Sequence, residues 1–490
     1  MTSAGMAVPA LDFVFHPRSI AIAGVSAREA GGFGGGGFLQ SLTEIGFPGP
    51  IFLIHPTAPA IRGYKCYPRL AEVPDEVDYV ISSVPARIVP QLLEDCITKN
   101  VKVLHLFTAG FTETGDAERA KMEQSLVNRA KEAGIRLIGP NCMGLYVPGS
   151  RLAMMGGQIA EAGPVGMLSQ SGMNAGEFVR YAIPRGIRCS KVISFGNGAD
   201  LNAADWFDYF TDDPETEIIA AYMEGIQDGP RLAKAIRRAA AAKPVIILKG
   251  GRTEAGSRAA SSHTASLAGS LQVFDALCRQ AGAIRVESLE ELTDVAVTFR
   301  FVKKLGGGNV CVVGGGGGAS VLAADDLDAA GLKVPALLPE TQEQIAKVTA
   351  DVGTSIRNPI DTMSLREEKG FESTLMPAAT APNIDVLLYH TSFDGFGPPS
   401  RGRSMRDNLG LQADGLRKVQ EESGKPVVVA IRPATTVDGF QQSLEFQELC
   451  WRNGLAVYPS IARAAIGLSR LLEWQAMRAQ SKDCGSSAED

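Results

Sequence analysis

Short apolar runs alternate along this chain with longer segments in which apolar and polar residues are mixed. The runs have the length of β-strands, and the mixed segments, such as 87–99 and 117–133, have the pattern of helices. Strands that alternate with helices predict an α/β fold with a parallel, doubly wound sheet. In the first third of the chain, the predicted strands are 18–24, 51–54, 79–82, 101–107 and 136–138. A glycine-rich loop, 31–37, follows the first strand and leads into a helix predicted from Phe38.

Two further units open in the same way, with a strand, a tight loop and a helix. One consists of strand 163–168, the loop Ser169 to Gly172 and a helix ending near Pro184; the other consists of strand 309–313, the loop Gly314 to Gly318 and a helix ending near Gly331. Parallel sheets bind their ligands beyond the carboxyl ends of the strands. We therefore expect binding residues in these loops.

The second and third units also resemble each other further along the chain. Segment 214–222 matches 382–389, and 243–248 matches 425–430. Two glycines then align, but 39 positions separate Lys243 from Gly282, whereas 29 separate Lys425 from Gly454. We interpret this as a duplicated fold with a ten-residue insertion in the first copy; a chance resemblance between two parallel-sheet domains is the alternative. Each copy presents a helix N-terminus, which attracts phosphate.

The length of the chain sets the number of domains. A chain of 490 residues is too long for one ordinary core and indicates about three domains of ~150 residues each. The predicted domains are 10–146, 147–303 and 304–476. A polar tail, 477–490, follows, and we expect it to be disordered from Gln480.

Composition excludes several classes of protein. The chain is 45% apolar and 21% charged, with a net charge of -6 and no basic cluster, which argues against a nucleic-acid partner. No apolar run approaches the ~20 residues that cross a bilayer, and residues 1–10 lack a signal-peptide pattern. The eight cysteines show neither CxxC pairs nor metal-ligand spacing. We expect a soluble cytoplasmic protein without a metal site or a membrane partner.

The insertion in the first copy contains the most informative residue, His263. The chain has only five histidines, and this one lies among small and hydroxylated residues. Glu224 follows an apolar strand, so its carboxylate is expected at a strand's carboxyl end, where it would orient an imidazole. With two anion-binding helix termini, His263 would form a covalent phosphate site. The alternatives are a loop histidine without a role and a solvated glutamate. We interpret the other histidines as structural: His16, His55, His105 and His390.

Two loops of the first unit are candidate ligand sites. The loop Gly24-Val25-Ser26 lacks GxGxxG spacing, and the second strand ends at His55-Pro56 where an NAD site has an acidic residue. This argues against NAD and leaves another phosphate-bearing nucleotide, or a turn without a ligand, open. In the rigid turn 139–144, Asn141 can bond a ligand or its own backbone. Cys142 is a weak candidate nucleophile, because no histidine lies near it in sequence.

The order of units and three motifs resemble the ADP-forming acyl-CoA synthetases of the succinyl-CoA synthetase superfamily. The resemblance covers roughly residues 10–475, and its motifs are Ser169-Gln170-Ser171-Gly172, Gly139-Pro140-Asn141-Cys142, and Gly251-Arg252-Thr253 through Ser262-His263-Thr264-Ala265-Ser266-Leu267-Ala268-Gly269. It implies an N-terminal Rossmann-like CoA-binding domain followed by two flavodoxin-like succinyl-CoA-ligase domains. In that family a histidine is phosphorylated between two helix N-termini.

The resemblance also implies roles for individual residues. His263 would be the phosphohistidine and Glu224 the carboxylate that supports it. The phosphate-binding residues would be Ser169, Gln170, Ser171 and Gly172 at one helix start, and Gly315, Gly316, Gly317, Gly318, Ala319 and Ser320 at the other. The residues along coenzyme A would be Gly24, Val25, Ser26, Ser83, Val84, Pro85, Ala86, Asn141 and Cys142.

The partners follow from the same resemblance. No ATP-grasp module is recognisable after residue 475, so the chain is expected to be an α-type subunit. An ATP-grasp β subunit would bind ATP and Mg2+ in a hetero-oligomer. The reaction would convert a small carboxylic acid, coenzyme A and ATP into acyl-CoA, ADP and phosphate. Two alternatives stay open: a non-catalytic CoA-binding regulatory or scaffold protein, and an NAD(P)-dependent dehydrogenase.

Overall fold

The computed structural model describes residues 10–26, 34–258, 270–349, 354–362, 365, 368–394 and 404–486. Three sheets organise this part of the chain, and almost all of their strand pairs are parallel. The predicted α/β fold class is confirmed. Among the described residues, no helix is both long enough and apolar enough to cross a membrane.

The first sheet has seven strands in the order β3-β4-β2-β1-β5-β6-β7. Its strands are β1 (Ile20–Ala23), β2 (Ile51–Ile54), β3 (Ala60–Ile61), β4 (Tyr64–Tyr67), β5 (Tyr79–Ser82), β6 (Val103–Leu106) and β7 (Arg136–Ile138). Its helices are α1 (Gly35–Ile45), α2 (Val89–Thr98) and α3 (Ala117–Glu132). The central strands β1, β5 and β6 are buried along their whole length, as expected for a sheet covered on both faces.

Helix α1 begins three residues earlier than the sequence pattern predicts. We expected a helix from Phe38, but the glycines at 35–37 already belong to it. The cause is a close approach of two backbones: a Cβ on Gly35 would lie 2.8 Å from the carbonyl oxygen of Gly24. The glycines therefore allow the helix to start directly against the loop after β1.

The second sheet has six strands in the order β13-β12-β11-β9-β10-β8, and only β8 is antiparallel. Its strands are β8 (Gly144–Tyr146), β9 (Val165–Ser169), β10 (Cys189–Ser194), β11 (Ile218–Met223), β12 (Val245–Lys249) and β13 (Ile284–Val286). The accompanying helices are α4 (Gly172–Ala182), α5 (Ala203–Asp212), α6 (Gly229–Ala242), α7 (Leu271–Ala281) and α8 (Leu289–Phe301).

The third sheet has five parallel strands in the order β15-β14-β16-β17-β18. These are β14 (Val310–Gly314), β15 (Ile360–Asp361), β16 (Val386–Thr391), β17 (Val427–Ile431) and β18 (Ala456–Tyr458). The helices are α9 (Gly317–Ala329), α10 (Pro339–Ala346), α11 (Glu368–Thr380), α12 (Met405–Ser423), α13 (Val437–Arg452) and α14 (Ile461–Ser486).

The C-terminal helix is longer than the sequence pattern indicates. Helix α14 continues to Ser486, so residues 480–486 are helical rather than disordered. Ala, Gln, Arg and Lys are frequent around this point and are good helix formers, which explains why a polar sequence extends the helix.

The second and third sheets share one topology. Strands β13-β12-β11-β9-β10 of the second correspond in order to β18-β17-β16-β14-β15 of the third. In β11, Tyr222 lies beside Ser169; in β16, His390 lies beside Gly314. The repeat inferred from the sequence is therefore present in the strand order and in the register.

The chain forms two compact units. Unit 1 contains residues 1–179 and 188–289, with the first two sheets; unit 2 contains residues 180–187 and 290–490, with the third sheet. The three-domain division at 146/147 and 303/304 stays a prediction.

Candidate functional site

A cavity of about 530 Å³ lies within unit 1 where several predicted binding loops meet. Its walls include Ser83, Val84 and Pro85 after β5, Asn141 and Cys142 after β7, and Gln170, Ser171 and Gly172 before and at the start of α4. Phe107, Thr108, Ala109, Met143, Met173 and Gly196 complete the lining. The structure thus brings two predicted groups, the coenzyme residues and one phosphate-binding loop, to the same cavity.

The loop after β1 is held against the loop after β5. Gly24 has a φ of +95°, and a Cβ there would lie 2.6 Å from the carbonyl oxygen of Ser83, so only glycine fits. The hydroxyl of Ser83 accepts a hydrogen bond from the N–H of Gly35 (3.0 Å), at the start of α1. Thr108 donates its hydroxyl to the carbonyl of Val84 (2.9 Å). Three loops are thereby fixed at the same edge of the sheet.

A second cavity of about 550 Å³ adjoins these loops. Its lining includes five of the predicted coenzyme residues: Gly24, Val25, Ser83, Val84 and Pro85. The other lining residues were not predicted to contact the coenzyme: Ala23, Ile54, His55, Pro56, Pro68, Arg69, Ile88, Gln91, Leu92 and Asp95. Two predicted residues are absent from both linings. Ser26 lies in the same loop, and Ala86 begins the short 3-10 turn Ala86–Ile88.

The turn after β7 presents Asn141 to the first cavity. Asn141 has a φ of 58° and follows the cis peptide bond between Gly139 and Pro140. Its backbone N–H donates to the carbonyl of Thr108 (3.0 Å). The left-handed conformation is one that asparagine tolerates better than most residues.

Cys142 lines the cavity but is a poor nucleophile. It is 4% exposed, and burial raises the pKa of its thiol, which disfavours the reactive thiolate. The ring of His105 lies close in space, with Nε2 3.2 Å from the carbonyl oxygen of Cys142. Burial lowers the pKa of His105 to about 4, so this imidazole is neutral and supports the turn.

The polar side chains of the loop before α4 form hydrogen bonds within the loop and with the first turn of the helix. The Ser169 hydroxyl donates to the carbonyl of Ser171 (2.6 Å) and accepts from the N–H of Ser171 (3.2 Å). The Ser171 hydroxyl accepts from the N–H of Asn174 (3.3 Å), as an N-cap does. Helix α4 therefore starts from a rigid loop with its N-terminal residues at the cavity, where its dipole favours an anion.

Glu224, the first residue after β11, is held from three directions. Its N–H and that of Gly225 both donate to the side-chain oxygen of Gln170 (2.5 and 2.9 Å). Its carbonyl accepts from the ammonium of Lys249 (2.6 Å), and its carboxylate accepts from the hydroxyl of Tyr222 (3.0 Å). Gln170 thus lines the cavity and also supports Glu224. Lys249 and Tyr222 were not selected from the sequence, where the only signal was a polar residue near the end of each apolar strand.

The second predicted phosphate loop, Gly315 to Ser320, precedes and opens helix α9 in unit 2. The N–H of Gly316 donates to the carboxylate of Asp361 (2.9 Å), and Arg432 donates to the carbonyl of Gly315 (3.3 Å). His390 Nε2 lies 3.5 Å from the Ser320 hydroxyl, and burial lowers the pKa of His390 to about 4. Asp361 and Arg432 are further polar residues of this loop that sequence reasoning missed.

His263 lies in segment 259–269, outside the described residues, so its role stays a prediction. The described chain leads up to it on both sides: β12 ends at Lys249, and α7 begins at Leu271 with Ser270 as its N-cap. Among the described residues, no group of three or more His, Cys, Asp or Glu side chains could hold a metal ion.

Two family models match this chain. A model of the succinyl-CoA ligase like flavodoxin domain matches residues 162–299, and a CoA binding domain model matches residues 18–148. The first covers most of the second sheet, and the second covers the first sheet.

Known proteins match nearly the whole chain. The α subunit of an ADP-forming acetate–CoA ligase I from Pyrococcus furiosus is 34% identical over 482 residues, which are 96% of this chain and 99% of that subunit. An ADP-forming acetate–CoA ligase I from Archaeoglobus fulgidus is 34% identical over 77% of this chain, a region that spans 54% of that protein. The solved structure of Candidatus Korarchaeum cryptofilum dinucleotide forming acetyl-coenzyme A synthetase 1, in complex with phosphate and ADP, has a TM-score of 0.79 and 31% identity, covering 96% of this chain and 97% of that one.

Proposed function

Because the chain belongs to the family of ADP-forming acetate–CoA ligase α subunits, we propose that it is the CoA-binding, phosphohistidine-bearing subunit of an NDP-forming acyl-CoA synthetase. The enzyme would join a carboxylic acid to coenzyme A and convert ATP to ADP and phosphate. One observation carries the proposal: a single cavity is lined both by the loops of the CoA binding domain and by the loop that opens α4, and Gln170 connects it to Glu224.

The two cavities of unit 1 suit coenzyme A. Each is of the size of ordinary ligand pockets, and both are bordered by Ser83, Val84 and Pro85. The nucleotide end of the coenzyme would occupy the cavity beside Gly24, whose missing Cβ lets the loop after β1 pack against the loop after β5. The thiol end would reach the cavity at the start of α4. The residue after β2 is His55 rather than the acidic residue of an NAD site, which favours coenzyme A over a nicotinamide dinucleotide.

His263 would carry the phosphoryl group on an imidazole nitrogen. A carboxylate oxygen of the acid attacks phosphorus, and the N–P bond breaks to give an acyl phosphate. The sulfur of coenzyme A then attacks the acyl carbon, the carbon–oxygen bond to phosphate breaks, and the thiol proton leaves with the phosphate. The acyl phosphate makes a carboxylate reactive towards a thiol. The N-terminus of α4 stabilises the phosphoryl oxygens, and Glu224 orients the imidazole.

The nucleotide would be handled by another chain. The Pyrococcus furiosus relative is named as a subunit α, and the Archaeoglobus fulgidus relative is nearly twice as long as the region that matches. We infer a hetero-oligomer in which an ATP-grasp β subunit binds ATP and Mg2+. The acid is a small carboxylic acid.

Labelling tests this proposal. The purified chain is incubated with acetyl-CoA, or another acyl-CoA, and radiolabelled phosphate, which runs the second half of the reaction backwards. We expect an acid-labile, base-stable label that His263→Asn abolishes and that His16→Asn, an exposed histidine bonded to Ser150, retains. No label with any acyl-CoA would favour a non-catalytic CoA-binding scaffold. Calorimetry should detect coenzyme A binding; tight binding of NAD(P) instead would favour a dehydrogenase.

A further inference from the structure

We propose that Lys249 is a positioning residue for phosphoryl transfer, holding Glu224 at a fixed place relative to Gly250, where the connection that contains His263 begins. This inference rests on the proposed function and adds a residue to it. Lys249 does not line either cavity of unit 1, so it would act through Glu224.

The ammonium of Lys249 joins the ends of two adjacent strands. It donates to the carbonyl of Glu224, just after β11, and to that of Gly250, just after β12 (2.6 and 2.5 Å). The N–H of Gly250 also donates to the carbonyl of Met223 (2.8 Å). Gly250 is the first residue of the connection 250–270, which contains His263. One side chain thus fixes the carboxylate residue and the origin of the histidine segment to each other.

A lysine at this place is costly for folding. Lys249 is 1% exposed, and in the described chain both of its hydrogen-bond acceptors are backbone carbonyls. Burial lowers the pKa of Lys249, because moving an ammonium out of water is costly and the attraction of the Glu224 carboxylate offsets this cost only in part. Buried ionisable groups with a perturbed pKa cluster at functional sites.

The repeat provides an internal comparison. In the second sheet Met223 of β11 lies beside Lys249; in the third sheet Thr391 of β16 lies beside Ile431. Ile431 therefore occupies the place of Lys249 in the other copy, and it is 6% exposed. The fold accepts an apolar side chain at this register position, so packing does not require the lysine. The copy that contains Glu224 and the histidine segment is the one that has it.

Positioning has a large effect on group transfer, because a misplacement of about 1 Å can cost ~100-fold in rate. Glu224 is held by Gln170 at its N–H and by Tyr222 at its carboxylate. Without Lys249, its carbonyl and that of Gly250 lose their shared donor. Glu224 would then no longer be fixed to Gly250 through the side chain of Lys249.

The test compares Lys249→Met with Lys243→Met. Lys243 precedes the same strand at its other end and also donates to two carbonyls, those of Phe210 and Asp213 (2.6 Å each). The initial rate of histidine labelling from phosphate and acetyl-CoA is measured with the full chain. We expect Lys249→Met to lower it about tenfold or more and Lys243→Met to change it by less than about twofold. Calorimetry should give the wild-type Kd for coenzyme A in both variants.

A double-mutant cycle separates positioning from a general structural role. If Lys249 acts through Glu224, adding Lys249→Met to Glu224→Gln should slow labelling little further, because coupled residues are non-additive. Lys249→Gln keeps N–H donors and should fall between wild type and Lys249→Met, so it also serves if the methionine variant does not fold.

The outcomes are distinct. A wild-type chain without label overturns the proposed function, and this inference with it. A labelled wild type with an equally fast Lys249→Met overturns the role of Lys249 alone. Multiplicative effects of Lys249→Met and Glu224→Gln, or an equal loss in Lys243→Met, would also overturn it.

Discussion

The two copies of the repeated sheet have the same strand order but different polar residues at equivalent places. In the first copy, Tyr222 of β11 lies beside Ser169 of β9. In the second copy, His390 of β16 lies beside Gly314 of β14. At the next strand, Lys249 is matched by Ile431. The backbone geometry has been kept while the chemistry at the carboxyl ends has changed. Residues at equivalent positions of the two copies can therefore be compared directly.

Polar groups in the two copies serve different purposes. In the first copy, Tyr222, Gln170 and Lys249 all hold Glu224. In the second copy, His390 is fully buried against Gly314, and Asp361 supports the backbone of the glycine loop. The polar groups of the first copy thus hold the side chain and backbone of Glu224, whereas those of the second hold the backbone of a glycine loop.

The largest effect should come from Glu224→Gln. Removing a carboxylate that orients a catalytic imidazole should slow histidine labelling by about 100-fold or more, in the range of general acid–base contributions. Ser392, which follows β16 as Glu224 follows β11, provides the control. Ser392→Ala should label within about twofold of wild type; equal losses in both variants would contradict the functional asymmetry of the copies.

The next effect concerns the stability of unit 2. A Cβ on Gly314 would lie 2.4 Å from the ring of His390, so Gly314→Ala should lower the free energy of unfolding by about 1–3 kcal/mol through overpacking. Gly318→Ala has nothing within 4 Å of its Cβ and should be neutral or stabilising. Urea unfolding measures both. A Gly314→Ala variant as stable as wild type would show that the His390 ring moves aside without a cost in stability.

Acid should destabilise the chain through the buried histidines. The pKa of His390 is lowered from 6.5 to about 4, so the unfolded state binds more protons and stability falls as the pH drops from about 6.5 towards 4. Between pH 7 and pH 5, this one histidine should lower the free energy of unfolding by about 2 kcal/mol. Urea titrations of His390→Gln at the two pH values should show a loss of unfolding free energy that is smaller by that amount. Identical pH dependence in both proteins would refute the assignment; His105→Gln tests a second buried histidine, in β6 of unit 1.

The smallest effect should come from Tyr222→Phe. The variant keeps the ring and removes the hydroxyl that donates to the Glu224 carboxylate. Loss of one hydrogen bond to a charged group, about 1.5 kcal/mol, should slow labelling roughly tenfold and leave coenzyme A binding unchanged. A rate equal to that of Glu224→Gln would instead mean that the hydroxyl takes part directly.

Much of the fold was predictable because it depends on local patterns. Apolar runs gave the strands, and the loops after them contained the residues that now line the first cavity. The position of Glu224 after β11 followed from the same rule. These inferences needed only that parallel strands end at one edge of a sheet.

The contacts within the site were not predictable, because register brings together residues far apart in sequence. Gln170 and Glu224 are 54 positions apart, and their hydrogen bond depends on the pairing of β9 with β11. Cys142 has no histidine near it in sequence, yet His105 is adjacent across the turn. The ten-residue difference between the copies was also not placed correctly by the sequence pattern alone. In the second copy the connection 432–436 is short, and the helix that follows it, α13, is five residues longer than α7.

The border shared by the two cavities has a consequence for ligand shape. Because Ser83, Val84 and Pro85 line both, a molecule that fills both cavities must extend past these three residues. A compact mononucleotide would occupy one side only. These three residues therefore select ligands by their length as well as by their functional groups.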